Sequence, residues 1–175
     1  MEGKGRITGH TGLLALLGSP VGHSGSPAMY NYSFEKLGLD YAYVAFDIKV
    51  EEVKAALDAM RLFHMRGCNV TMPCKTEAAK YMDELSPAAR IIGAVNTIVN
   101  EDGKLIGHMT DGEGFVGNLR DHGIEIKGKK ITVAGGGGAA TAIQVQCALD
   151  GAREISIFNI KDDFFERTLE TAEKI

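Results

Sequence analysis

The sequence predicts an α/β protein whose sheet is mostly parallel. Three observations carry that prediction. Short apolar strands alternate with segments of helical periodicity along the chain, the pattern of layered α/β folds. Glycine is abundant at 22 residues and proline scarce at 4, which suits many strand-to-helix turns. An apolar fraction of 45% with 24% charged residues is that of an ordinary globular protein, and 175 residues hold one domain or two small ones.

The elements follow in order. LLALLGSP is a short buried strand that stops at Gly-Ser-Pro. SPAMYNYSFEKLGL is a helix, with Ser26 expected as its N-cap, Pro27 in the first helical position and Gly38 ending it. YAYVAFDI alternates β-formers and is a strand. VEEVKAALDAMRLFH carries apolar residues at helical spacing: Val53, Ala56, Leu57 and Met60. GCNVTM is a short strand, CKTEAAKYMDELS a helix and SPAARIIG another helical turn or two. AVNTIVNEDGKLIGHMTD reads as two strands around a turn at Asn100-Glu101-Asp102-Gly103. GEGFVGNLRDHGI is a helix. KGKKITVAGGGGAATAIQVQCALDGA is a strand, a glycine run and a helix; EISIFNIK and DDFFERTLETAEKI are a further strand and helix. The expected domains are 1–112 and 113–175.

Several classes of function find no support. A net charge of −4 gives no basic footprint for nucleic acid and no polybasic segment for an anionic membrane. No apolar run approaches the ~20 residues that cross a bilayer. The start, MEGKGRITGHTG, lacks a long apolar core before a cleavage site, so no signal peptide is expected. Cys68, Cys74 and Cys147 are an odd number without framework spacing, which argues for free thiols in a reducing cytoplasm. Cys68 and Cys74 lack the spacing of a zinc site and the 5 histidines are scattered, so no metal is expected.

The glycine run is the most specific local signal. Gly135, Gly137 and Ala140 fit G-x-G-x-x-G/A between a strand and a helix, the fingerprint of a Rossmann-type dinucleotide site. A tight turn needs a residue that tolerates positive φ. A second glycine lets the backbone approach a pyrophosphate, and a small third residue allows close helix–strand packing. The helix N-terminus then offers free N–H groups and partial positive charge. Where the next strand ends, Asn159-Ile160-Lys161-Asp162 stands where a ribose would be read. Asp162 favours NAD, and no arginine follows Asn159 to pair with the 2′-phosphate of NADP. Asp162 and Asp163 also suit a helix start, so capping competes with ribose contact.

Lys75 and Asp111 raise a different question. A lysine on a helix is usually a solvated charge. Here Asn69 and Thr71 sit at the end of one strand, Asn96 and Thr97 in the apolar AVNTIV strand, and Asp111 at a third strand's end. The carboxyl ends of parallel strands line one crevice. A lysine, an aspartate and several neutral hydrogen-bonding groups there suit a small polyhydroxylated substrate. Ser24 and Ser26 add two hydroxyls near a helix N-terminus, either a carboxylate seat or simple turn and cap residues.

GSPVGHSGSP, NVTMPCK, GAVNTI, MTDGEGF and AGGGGAATA, in this order, resemble the shikimate dehydrogenase family. DELSPAARIIGAVNTIVNEDG and FNIKDDFF are most similar to its quinate/shikimate dehydrogenase branch. The resemblance runs from about Gly12 to Ile175. It implies a substrate domain followed by an incomplete Rossmann-type cofactor domain. The implied activity is nicotinamide-dependent oxidation of a ring hydroxyl of shikimate or quinate to the 3-dehydro ketone, in aromatic amino acid biosynthesis and in the cytoplasm. It further implies that Lys75 and Asp111 form the catalytic pair, that Ser24 and Ser26 bind the substrate carboxylate, and that Thr71, Asn96 and Tyr43 contact the substrate. Gly135, Gly136, Gly137, Gly138 and Ala139 would hold the pyrophosphate, and Asn159, Ile160, Lys161 and Asp162 the ribose of NAD or NADP. The expected partners are the small-molecule substrate and a second copy in a homodimer.

Three positions depart from the family pattern. Cys74 replaces a histidine or asparagine before the lysine, Met109 an asparagine before Thr-Asp, and Ile160 the arginine after Asn159. Family chains also run on for roughly another hundred residues, in keeping with a two-domain size. The later strands and the helices that return to the first domain have no counterpart here, which predicts an unpaired sheet edge in a fragment, a truncated product or half of an assembly. A substrate-binding module without hydride transfer is the competing class. A methylenetetrahydrofolate dehydrogenase-like enzyme is disfavoured by the GSPVGHSGSP and NVTMPCK motifs.

Overall fold

A computed structural model describes residues 7–175; the opening MEGKGR, part of the stretch read as lacking a signal peptide, lies outside the described residues. The chain forms two compact units. One runs up to Glu84 and includes Val95–Gly107; the other comprises Leu85–Ala94 and His108–Ile175.

The first unit is organised on a six-stranded sheet with the order β2-β1-β3-β5-β6-β4. Its strands are β1 (Gly12–Gly18), β2 (Tyr41–Asp47), β3 (Gly67–Val70), β4 (Glu84–Leu85), β5 (Thr97–Glu101) and β6 (Lys104–His108). Strand β1 pairs in parallel with β2, from Gly12 opposite Tyr41 to Gly18 opposite Asp47, and with β3, from Leu14 opposite Gly67 to Leu17 opposite Val70. Strand β5 departs from the parallel pairing expected of alternating strands and helices: it runs antiparallel to β3, with Asn69 opposite Thr97. The reversal places the beginning of β5, not its end, beside the carboxyl ends of β1 and β3.

Helix α1 (Ser26–Leu37) closes on Gly38 in the left-handed conformation, as expected. Its start differs from expectation. Gly25 is the N-cap, Ser26 is already helical, and the Ser24 hydroxyl oxygen accepts from the Ser26 N–H at 3.2 Å. Helix α2 (Val53–Leu62), preceded by a 3-10 turn at Val50–Glu52, buries Val53, Leu57 and Met60 on one face. Helix α3 (Lys75–Ala79) is shorter than its sequence suggests. Its tail is drawn into the sheet: Asp83 donates its N–H to Leu105 O, and Leu105 donates its own to the Asp83 carboxylate. Leu16, Val21, Phe34 and Tyr43 form a core cluster between sheet and α1.

The second unit holds α4 (Pro87–Ile92), α5 (Asp111–Asp121), β7 (Lys130–Ala134), α6 (Gly138–Leu149), β8 (Glu154–Phe158) and α7 (Phe165–Lys174). Strands β7 and β8 are parallel, from Lys130 opposite Glu154 to Ala134 opposite Phe158. The intervening α6 makes them a βαβ unit. Val116, Ile126 and Cys147 form its core, with Ile131, Ile143 and Ile155 packed against them. All three cysteines are free and buried, and burial pushes the Cys68 thiol up to about 12. No helix among the described residues is long and apolar enough to cross a membrane.

Candidate active site

In the first unit, two of the sequence motifs meet. The Thr71 N–H donates to Leu17 O at 2.8 Å, and the Ser19 N–H to Met72 O at 3.1 Å. Gly18 permits this approach, because a Cβ there would stand 3.0 Å from Met72 O. Ser19-Pro20 and Met72-Pro73 are both cis. The two segments enclose a cleft of about 350 Å³ lined by Ser19, His23, Ser24, Ser26, Thr71 and Met72 together with Leu16, Pro20 and Val21. Three of the expected substrate residues, Ser24, Ser26 and Thr71, therefore face one cavity.

The remaining polar residues form a chain along the same edge of the sheet. The Tyr43 hydroxyl donates to Asn69 Oδ1 at 2.8 Å. Asn69 Nδ2 donates to Thr97 Oγ1 at 3.2 Å and to Asn96 O at 3.4 Å. Asn96 O also accepts from the Val70 N–H. Tyr43 is only 3% exposed and stacks on Tyr30 with ring centroids 4.5 Å apart. Burial holds its phenol well above the usual range. Tyr43 thus spends its hydroxyl on Asn69, a residue noticed in the sequence only as a polar strand end. A second connector went unread: Asn31 clamps β2 by donating to Tyr43 O at 2.7 Å and accepting from the Tyr43 N–H at 3.0 Å.

Lys75 is the first residue of α3 and its carbonyl accepts from the Val95 N–H at 3.0 Å. A cation at a helix N-terminus gains nothing from the dipole, so helix stability does not account for it. Asp111 is the first residue of α5, where the dipole does favour an acid. Lys75 lies in the first unit and Asp111 in the second.

The glycine run lies at a cleft of about 950 Å³ whose lining includes Gly135, Gly136, Gly137, Asn159, Ile160 and Asp162. Gly135 has φ +124°, the positive value expected of the tight turn. Gly137 caps α6, and a Cβ at Gly137 or Gly138 would meet nothing within 4 Å. Gly136 has another reason to be glycine: an added Cβ would collide with Thr168 Oγ1 and stand 2.7 Å from Asn159 Nδ2. Gly138 and Ala139 form the first turn of α6. Lys161 Nζ lies 5.9 Å from the Phe165 ring centroid. Asp162 Oδ1 accepts from Asn159 Nδ2 at 3.2 Å and from the Phe164 N–H at 3.0 Å, so it shapes the turn before α7. Sequence reasoning passed over Gln144 and Thr141. Gln144 Nε2 donates to Gly135 O at 2.9 Å, and Thr141 Oγ1 donates to Gly136 O and Gly137 O. The available signal was a glutamine in an otherwise apolar or small-residue stripe of α6.

Residues 16–98 match the shikimate dehydrogenase substrate binding domain, the segment that builds the cleft at Ser24, Ser26 and Thr71. Over those residues the chain is similar to the shikimate dehydrogenase family. It is 55% identical over 170 residues to the shikimate dehydrogenase (NADP(+)) of Listeria monocytogenes serotype 4b (strain F2365), covering 97% of this chain and 58% of the relative. The chain therefore spans little more than half the length of the curated relatives it matches. Among solved structures, shikimate 5-dehydrogenase from Listeria monocytogenes, in complex with shikimate and NAD, superposes with a TM-score of 0.94 at 55% identity, over 97% of this chain and 59% of that one. The ligand-free 5-ketofructose reductase of Gluconobacter sp. strain CHM43 superposes with a TM-score of 0.88 at 32% identity, over 95% and 60%.

Proposed function

We propose that the protein serves a nicotinamide-dependent dehydrogenase that interconverts shikimate, or its relative quinate, and the 3-dehydro ketone. Residues 1–112 would bind the substrate and residues 113–175 the cofactor. The observation that carries this reading is the single cleft onto which Ser24, Ser26 and Thr71 face. Two serine hydroxyls beside the start of α1 suit a carboxylate, and a threonine suits a ring hydroxyl. In this reading Asn96 adds a further hydroxyl contact, and Tyr43 supports the pocket through Asn69.

Hydride acceptance is the chemistry that the nicotinamide supplies when bound. The chain's own task is the proton. As a ring C–H gives up its hydride, the attached O–H must lose a proton, and Lys75 as an amine takes it; in the reverse direction the ammonium returns it. The family resemblance assigns Asp111 the companion role in that proton transfer. The residues of the second unit fit a dinucleotide: Gly137 and Gly138 leave open space at a helix N-terminus, and Asn159 to Asp162 border the adjoining cleft. Asp162 suits the ribose hydroxyl of NAD, and Ile160 supplies no charge for a 2′-phosphate. The relatives' names point to NADP+ instead, so the two cofactors must be compared directly.

The test is the initial rate of nicotinamide reduction with shikimate and with quinate, each with NAD+ and NADP+. A Ser24→Ala, Ser26→Ala double variant should raise KM for the acid and leave KM for the cofactor unchanged. Substrate binding without turnover would make the protein a binding module and refute the dehydrogenase reading.

A further inference from the structure

Gln144 is fully buried on α6 at 0% exposure, and its Oε1 has no hydrogen-bond partner among the described residues. A buried amide oxygen without a partner carries a desolvation cost that an apolar side chain would avoid. Its Nε2 donates to Gly135 O at 2.9 Å. Thr141, also buried, donates its hydroxyl to Gly136 O at 3.3 Å and Gly137 O at 3.1 Å. Three consecutive carbonyls of the glycine turn are therefore drawn toward α6.

The consequence lies on the opposite side of each peptide. The cis bonds among the described residues are both X-Pro bonds elsewhere, and in a trans peptide the N–H points opposite to the C=O. The N–H groups of Gly136, Gly137 and Gly138 are thereby turned away from α6. A peptide flanked by glycines on both sides has little to resist its rotation, and the bond between Gly135 and Gly136 is such a peptide. Gln144 removes that freedom at the Gly135 carbonyl, and the preceding peptide is fixed by the Gly135 N–H, which donates to Phe158 O at 2.7 Å. The result is a row of N–H groups at the start of a twelve-residue helix, complementary to a diphosphate.

We propose that Gln144, with Thr141, is a positioning residue that orients the glycine-turn peptides to receive a dinucleotide pyrophosphate. This rests on the reading of the turn as a cofactor site. The test uses Gln144→Met, which keeps the length and volume and removes the amide, and Thr141→Val, which keeps the shape and removes the hydroxyl. Purified protein is titrated calorimetrically with ADP, which carries the diphosphate without nicotinamide, and separately with shikimate. Gln144→Met should weaken ADP about fivefold to tenfold, the weight of one ordering hydrogen bond, and leave shikimate affinity unchanged. Amide resonances of Gly136, Gly137 and Gly138 should shift in the variant. ADP affinity within twofold of wild type would overturn the proposal. If Gln144→Met does not fold, Thr141→Val carries the same expectation and the same refutation. A wild-type protein that does not bind ADP would instead sink the cofactor-site reading, and this proposal with it.

Discussion

Gly112, the residue after Asp111, offers a test in which the sign of a single methyl group depends on the packing. Gly112 is buried in the first turn of α5, and a Cβ there would stand 2.7 Å from Gln146 Cβ and 2.8 Å from the Ala142 carbonyl carbon, and closer still to Ala142 O. Two of those three atoms are backbone of α6 and cannot rotate aside. Overpacking of this kind costs about 1–3 kcal/mol, here at the upper end. The gain from replacing glycine by alanine in a helix is at most about 1 kcal/mol. Gly112→Ala should therefore lose about 1–2 kcal/mol, which lowers Tm by about 2–8 °C in a chain of this size. Gly114 and Gly117 lie on the same helix with nothing within 4 Å of an added Cβ. Alanine at either should raise Tm by about 1–4 °C. Differential scanning calorimetry of the three variants decides the matter. A Gly112→Ala protein that melts at or above wild type would refute the close α5–α6 packing. A displaced α5 would also move Asp111, so if Asp111 has the proposed role in proton transfer, turnover should fall in Gly112→Ala and persist in Gly114→Ala.

Asn69→Ala leaves the buried Tyr43 hydroxyl without its acceptor and should cost about 1–3 kcal/mol, measured by urea unfolding; Tyr43→Phe, which removes the donor, should cost less than Asn69→Ala. Asp83 is held below the usual carboxylate range by the Leu105 N–H and then by the Arg61 guanidinium. Its contribution is present above the unfolded value near pH 4 and is lost as pH falls through the lowered folded value. Asp83→Asn should therefore melt below wild type at pH 7 and converge with it toward pH 2, and a constant gap across that range would contradict the assignment. Ile160→Arg should shift the kcat/KM ratio toward NADP+ if the Asn159–Asp162 segment reads the ribose, and leave it unchanged if that segment only starts α7.

Much of this was legible in the sequence because it depends on local chemistry. Alternating strands and helices, Gly38 at the end of α1 and the positive-φ glycine at 135 each follow from a rule that needs only neighbouring residues. The failures were non-local. The antiparallel β5 could not be read from AVNTIV, because strand direction is set by partners in the sheet. Helix α3 ends early because Asp83 and Leu105 pair across 22 residues of sequence. The N-cap of α1 moved by one residue, to Gly25, and the Ser24 hydroxyl oxygen accepts from the Ser26 N–H. Thr71 could be singled out as a candidate because a polar group at a strand end has few structural reasons to be there, and Ser24 and Ser26 because two hydroxyls stand beside a helix N-terminus. Gln144 was missed because its meaning depends on a carbonyl nine residues away.

The central claim is that Lys75 handles the proton in a shikimate-type oxidation. The most direct measurement is turnover of shikimate by wild type and Lys75→Ala with each nicotinamide cofactor, alongside calorimetric titration of shikimate. Lys75→Ala should lose turnover by about a factor of 10² to 10⁴ while it still folds and binds shikimate. Near-wild-type turnover by Lys75→Ala would contradict the claim.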